Sequence, residues 1–252
     1  MKHFILLLAC CILLVNCKKG PEGPKGETGA PGNNGPSGTA ATGTISGNVY
    51  QYDEFSKRVQ TSLNTITVSV EGTTLSTVTN EKGIYTLADV PAGTYTLNYK
   101  GPKTQVMKNT QVSFVGNGIL YVHASIVDKP TWLISNPTLT INANQPIYGL
   151  TGTITNTLNF PKSPLLLCGL SPDIDNQNPA TYDYARFINL NSNQSFYSSG
   201  SPQYPEGTIF YAKVYAAVPG FSYTEVSSQR VVNYSVGDVS SPVFTLTMPK
   251  IN

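Results

Sequence analysis

From Gly43 onward the chain is written in short runs that alternate apolar and polar residues, and each run is closed by Gly, Pro, Asn or Asp. GTISGNVY, NTITVSVEG, TTLSTVTN, GIYTLADV, GTYTLNYK, TQVSFVG and GILYVHASIV follow one another in this way. A side chain on a strand flips to the opposite face at every step, so a period of two with one apolar phase specifies a half-buried strand. In TITVSVE, Ile66, Val68 and Val70 share a face that must be covered, and Thr65, Thr67 and Ser69 share the face left to water. Asn80-Glu81-Lys82-Gly83 reads as a hairpin turn in which glycine takes the positive φ. Val90-Pro91-Ala92-Gly93 reads as a second turn, with proline presetting φ. Runs of this length and spacing predict an all-β chain of antiparallel β-sandwiches.

The order of these pieces carries a resemblance. G-x-V, then ITVSVEGT, then TVTNEKGIYTLADVPAGTYTLNY is similar to the carboxypeptidase regulatory-like family, a transthyretin-like sandwich, over about residues 44–127. The resemblance implies a seven-stranded, non-catalytic accessory or binding module, and it places no ligand residues on this sequence. Val127-Asp128-Lys129-Pro130 closes that segment, and a second, again all strand and turn, runs over 128–252. Its EGTIFYAKVYA resembles a late strand of a fibronectin type III or immunoglobulin-like sandwich, and LLLCGLSPD its middle strand. Phe210, Ala212, Val214 and Ala216 are expected to point inward, and Tyr211, Lys213 and Tyr215 outward. Phe210 stands at the corner position that is usually tyrosine, so the hydroxyl of a tyrosine corner is missing.

The N-terminus sets a different context. Lys2 and His3 precede an apolar run from Phe4 to Val15, which has the layout of a secretory signal and is too short to span a bilayer core of about 30 Å. Leu14-Val15-Asn16-Cys17 resembles a bacterial lipobox. It implies removal of residues 1–16 and lipidation of Cys17, with Leu7-Leu8-Ala9-Cys10 as the competing site. With Cys10 and Cys11 in the signal and Cys17 acylated, Cys168 is left alone and the mature chain has no internal disulfide. Residues 17–43 form the anchor and a collagen-like segment, since Gly20, Gly23, Gly26, Gly29, Gly32, Gly35 and Gly38 keep the triplet spacing that a collagen axis demands. Two readings stay open: a proline-stiffened tether of a monomer, extending roughly 65 Å at about 3.1 Å per residue, or a short triple helix that makes a trimer.

Little in the sequence points to chemistry. His123 falls on the same face as Tyr121 and Ser125, and with no second histidine in the mature region a His-based metal cluster within one chain is excluded. Cys168 lies inside PLLLCGL, the setting of a small core residue. No GxSxG or P-loop sequence occurs, only 12% of residues are charged, and no basic cluster exceeds Lys18-Lys19. The expectation is therefore a chain that is not an enzyme, takes no cofactor and binds no nucleic acid. The candidate ligand-binding loop is SPDIDNQNPATYDY, with Asp173, Asp175, Asn178, Tyr182, Asp183 and Tyr184. Asp173, Asp175 and Asp183, with Asn176 beside them, offer hard oxygen atoms of the kind calcium takes, though not at EF-hand spacing. Tyr197, Tyr204 and Tyr223 lie in or beside other loops, where tyrosines suit sugar stacking or a protein partner. Two functions follow as expectations: a lipid-anchored protein of the bacterial cell envelope, held at the outer membrane, whose β-sandwiches serve interaction or adhesion with an envelope protein; or a carbohydrate-binding lipoprotein that helps capture a polysaccharide.

Overall fold

The computed structural model of the protein describes residues 41–143, 147–154, 163–189, 195–201 and 203–250, together with Gly20 and Gly23. The segment read from the sequence as a signal, Cys17, the rest of the Gly-X-Y stretch and the side chain of Tyr197 lie outside the described residues. The chain is all β, as its alternating runs require.

The first eight strands are β1 (Thr42–Tyr52), β2 (Thr67–Val70), β3 (Ser76–Val78), β4 (Ile84–Pro91), β5 (Gly93–Lys100), β6 (Met107–Phe114), β7 (Ile119–Tyr121) and β8 (Ala124–Val127). One sheet has the order β4-β1-β7, with β8 also on β1, and the facing sheet has the order β3-β2-β5-β6. Ile45, Val49, Ile66, Val68, Val70, Tyr85, Leu97, Tyr99 and Ile126 fill the space between them. The phase read from TITVSVE holds: Ile66, Val68 and Val70 are buried, and Thr65 and Thr67 are exposed. The two aromatic hydroxyls taken into this core satisfy each other. Tyr85 and Tyr99 Oη atoms lie 3.0 Å apart, and the Tyr85 hydroxyl also donates to the Val122 carbonyl at 2.8 Å.

Two features of this sandwich depart from the sequence reading. The Asn80–Gly83 turn forms as expected, with Gly83 at φ 77° and the Asn80 side chain accepting from the Lys82 and Ile84 amides. It is not a hairpin turn, because β3 pairs with β2 and β4 pairs with β1, so it carries the chain from one sheet to the other. The Pro91–Gly93 corner does the same between β4 and β5. The second departure is at β1, whose pairings with β7 and β8 are parallel while the other ladders are antiparallel. The ladder is interrupted at Val122 and His123, because β1 passes so close there that a Cβ on Gly47 would stand 1.8 Å from the Val122 carbonyl oxygen. His123 fills the gap in hydrogen bonding, its Nδ1 accepting from the Asn48 amide at 3.0 Å. The ring lies on the exposed face, where the sequence placed it.

The second set of strands is β9 (Ile134–Ile141), β10 (Tyr148–Ile154), β11 (Leu165–Gly169), β12 (Tyr184–Phe187), β13 (Ser195–Gly200), β14 (Ile209–Ala217), β15 (Ser222–Thr224), β16 (Val231–Asn233), β17 (Val236–Ser240) and β18 (Phe244–Thr247). A three-stranded sheet, β13-β10-β9, faces a five-stranded one, β12-β11-β14-β17 with β18 on β14, and β15 pairs with β16 as a ribbon. Between the two larger sheets pack Trp132, Leu139, Leu150, Leu166, Phe210, Ala212, Val214 and Ala216, so the inward phase of β14 is as expected.

The outward phase is not. Tyr215 was expected to face water, yet it is 6% exposed. It belongs to a second apolar cluster on the outer side of the same sheet, with Leu165, Leu167, Ile174, Tyr182, Ala217 and Val236. Both faces of β11 are therefore covered, which is why its sequence is a continuous apolar run and not an alternating one.

Gly47→Ala tests the close approach of β1 to Val122. Backbone has to move to admit the methyl group, so this substitution is expected to cost on the order of 2 kcal/mol, read as a lower denaturant midpoint. An unchanged midpoint would mean that β1 and Val122 are not this close.

Candidate functional site

The segment between β11 and β12, proposed from its sequence as a free ligand loop, is a strap that covers the outer face of the second sandwich. Its apolar residues anchor it: Ile174 is 1% and Tyr182 3% exposed. The Tyr182 hydroxyl donates to the Val231 carbonyl at 3.0 Å, and burial pushes its pKa up to about 12. Arg230 ties the strap down by donating from Nη1 to the carbonyls of Pro179 and Tyr182.

The polar residues of the strap shape its backbone. Asn178 caps a short 3₁₀ turn, Pro179–Thr181, with its side chain accepting from the Ala180 amide. Asp175 Oδ1 accepts from the Gln177 amide at 3.0 Å, and the Thr181 hydroxyl donates to the carbonyls of Asn178 and Asp175. Such short-range bonds from Asx and Thr side chains are the usual means of fixing an irregular segment. Asp183 accepts from the Tyr204 hydroxyl, and Tyr184 meets Tyr148, their Oη atoms 3.2 Å apart. Asp173 is exposed, and its amide donates to Ser171 Oγ at 3.2 Å.

Asp173, Asp175 and Asp183, named for calcium, are thus not drawn together. Among the described residues no group of three His, Cys, Asp or Glu side chains is placed to share an ion. The loop tyrosines also serve packing. Tyr182 is in the outer cluster, Tyr204 packs on Phe210 with ring centroids 5.1 Å apart, and Tyr223 stacks near Tyr234 at 6.2 Å. Cys168 is 1% exposed, and burial, with the Asp183 charge adding to it, pushes its thiol up to about 12. Very little thiolate exists at neutral pH in such a setting.

What the sequence did not reveal is the seam between the two sandwiches. Val127, Val218 and Tyr234 form a buried cluster there, with Tyr52, Met107, Phe221 and Tyr223 against it. Tyr52 meets Phe221 at 5.6 Å, and the Tyr234 hydroxyl donates to the Ser125 carbonyl at 2.9 Å. Polar clasps flank this cluster. Both carboxylate oxygens of Glu54 are used by Thr131, from its amide at 2.6 Å and its hydroxyl at 2.7 Å. Asp238 accepts from Lys129 at 2.5 Å and from Gln105 Nε2 at 3.1 Å. The Lys129 hydrogen bond contributes most to holding its carboxyl below the usual range, with the Lys129 charge, the Gln105 amide and the Lys100 charge adding to it.

Recesses open along the seam, two of them lined by described residues of both sandwiches. The larger, about 540 Å³, lies between Asp53, Glu54 and Phe55 on one side and Lys103, Asp128, Lys129 and Asp238 on the other. Burial pushes the Asp128 carboxyl up, against the pull of the Gln51 amide, which donates to it at 2.6 Å. The smaller, about 310 Å³, is lined by Gln105 of the first sandwich and by Asp175, Asn176, Gln177, Lys213, Tyr215, Asp238 and Ser240 of the second. Of the candidate loop residues, Asp175 is the one brought into this recess. Tyr182 and Asp183 line a third hollow of about 370 Å³ with Leu170, Ser171 and Arg230.

No family model matches the sequence, and no curated protein matches it. Solved structures resemble it. A candidate carbohydrate binding protein from Bacteroides uniformis is 14% identical, with a TM-score of 0.33, over 82% of this chain and 100% of that one. A DUF3823 family protein from Bacteroides ovatus is 13% identical, with a TM-score of 0.32, over 83% of this chain and 99% of that one. A type II cohesin-X-dockerin complex from Acetivibrio cellulolyticus contains a chain that is 28% identical over 34% of this chain and 58% of its own, with a TM-score of 0.28. TM-scores of this size place no functional residue of those proteins on this chain.

The strap makes a direct prediction. Tyr182→Ala, which empties a large part of the outer cluster, is expected to cost roughly 3 kcal/mol, read as a lower denaturant midpoint. An unchanged midpoint would show that the strap does not cover the outer face of β11. Cys168 packs on the opposite, inner face, and iodoacetamide is expected to leave it unmodified in the native protein at pH 8 and to modify it in denaturant.

Proposed function

We propose that this is a lipid-anchored protein of the bacterial cell envelope, in which Cys17 carries the anchor, the Gly-X-Y segment acts as the spacer, and the paired sandwiches are the part offered to an envelope partner. One observation carries this reading. β1 crosses the whole first sandwich, about 36 Å for 11 residues at roughly 3.3 Å each. At its start, Ala41 accepts from the Ala92 amide and Thr42 pairs with Pro91; at its end, Tyr52 packs on Phe221 of the second sandwich. The chain thus enters the first sandwich at one end and holds the second at the other, the arrangement of a module built to reach outward from its point of attachment.

The outer face of the β4-β1-β7 sheet offers a surface for a protein partner. Register places Ile119 beside Thr44, Tyr121 beside Ser46, and Ile84 beside Asn48, and their exposures are 59%, 67% and 39%. Neighbouring apolar residues left this open mark an interaction surface more often than scattered ones do. A second reading, binding of carbohydrate, is favoured by the amide-lined recess at the seam.

The anchor is tested with the full chain in a bacterial host grown on labelled palmitate. The wild type is expected to carry label and to sediment with membranes, and Cys17→Ser to lose both. Label retained by Cys17→Ser would move the lipid to Cys10 or Cys11. Absence of label in the wild type would remove the anchored reading altogether. A photo-crosslinking residue at Tyr121 is expected to capture a discrete envelope protein in intact cells, and uniform absence of crosslinks would take that face out of the account.

A further inference from the structure

At the 310 Å³ recess of the seam, side chains of both sandwiches converge on an open volume with a buried polar residue in its wall. Asn176 is 1% exposed. Its Nδ2 donates to the Asn233 carbonyl at 2.6 Å, and this fixes the orientation of the amide, since the reverse would set two acceptors against each other. Its Oδ1 then has no hydrogen-bond partner among the described residues. A buried acceptor left in this way calls for a donor that these groups do not supply, and its residue stands in the wall of the recess.

The rest of the wall is matched in sign and mixed in hydrogen bonding. Lys213 spends one proton on the Ile174 carbonyl at 3.2 Å and keeps two, while Asp175 stands in the same recess. Asp238 is compensated by Lys129. With Lys129 counted beside the lining residues, two carboxylates and two lysines stand about the recess and leave no net formal charge. Gln105, Asn176 and Gln177 supply amides, each with donor and acceptor groups, and Ser240 a hydroxyl. The volume lies at the small end of ligand sites, which run roughly from 300 to 1,000 Å³. Amide and hydroxyl side chains that can both donate and accept, around a small volume with no net formal charge, suit a ligand whose own groups do both, that is, one rich in hydroxyls.

From these observations we infer that the seam recess is a binding site for a short neutral saccharide segment, and that Gln105 makes the site depend on both sandwiches. The inference deepens the carbohydrate reading above and rests on it.

The test is calorimetric titration of the full chain with neutral oligosaccharides of glucose, galactose, mannose and N-acetylglucosamine, alongside acidic oligosaccharides of galacturonate. Gln177→Ala and Lys213→Met act at the second-sandwich wall, Gln105→Ala at the first, and Val115→Ser is a control at an exposed position outside the recess. Gln177 is exposed, so its loss leaves the fold intact, and circular dichroism verifies this for each variant. The expected result is saturable binding of one neutral class, weakened about tenfold or more by each of the three seam variants and unchanged by Val115→Ser. Binding that the seam variants leave unchanged would overturn this site while the carbohydrate reading survives elsewhere on the molecule. Preference for the acidic oligosaccharides would overturn the assigned chemistry. Silence toward every oligosaccharide would overturn both the site and the carbohydrate reading.

Discussion

The packing of Tyr234 and Val127 across the seam is the contact on which the rest of the arrangement depends. Val127 closes the last strand of the first sandwich, and Tyr234 lies between β16 and β17 of the second. Their burial with Val218 holds the sandwiches together through apolar area, which is non-directional. Direction comes from the polar groups around it. The Tyr234 hydroxyl reaches the Ser125 carbonyl, Thr131 engages both oxygens of Glu54, and Asp238 is shared by Lys129 and Gln105. Exposed ion pairs contribute about 0–1 kcal/mol each. The clasps therefore set the angle of the seam more than its strength.

That division of labour explains why the recesses lie where they do. A seam closed throughout by apolar side chains has no room for ligand chemistry, and one closed by salt bridges alone would hold no fixed shape. Here the apolar cluster is confined to one part of the contact, and the polar rim opens on either side of Asp238. The strap adds the second wall. Because Ile174 and Tyr182 are driven into the outer face of the β11–β14 sheet, Asp175, Asn176 and Gln177, which share the strap with them, are carried to the edge of β17 and toward Gln105.

Much of the fold was legible because a strand records its sidedness locally. The phase of Ile66, Val68 and Val70, the inward row from Phe210 to Ala216, the surface position of His123 and the turn at Gly83 all follow from residues within a few positions of one another. The strap did not follow in that way. SPDIDNQNPATYDY has the composition of a solvated loop, and what makes it a cover is the fit of two residues, Ile174 and Tyr182, to a face built from strands distant in sequence. The signal was present in its partner: PLLLCGL has no polar phase, so a strand there needs something over both faces. The parallel pairing of β1 with β7 and β8 was hidden for a similar reason, since alternation reports which face is buried and not which strand lies alongside. The seam residues Gln105 and Asp238 carry no local pattern at all, and their pairing spans 133 positions.

A seam built in this way makes the two sandwiches move as one body. Backbone ¹⁵N relaxation measures it most directly, because rotational tumbling is obtained separately from the amides of β1–β8 and of β9–β18. A single correlation time and a common diffusion tensor for both sets are the predicted result. Two different correlation times would mean that the sandwiches turn independently, and the seam, with the recess that Gln105 completes, would not persist in solution.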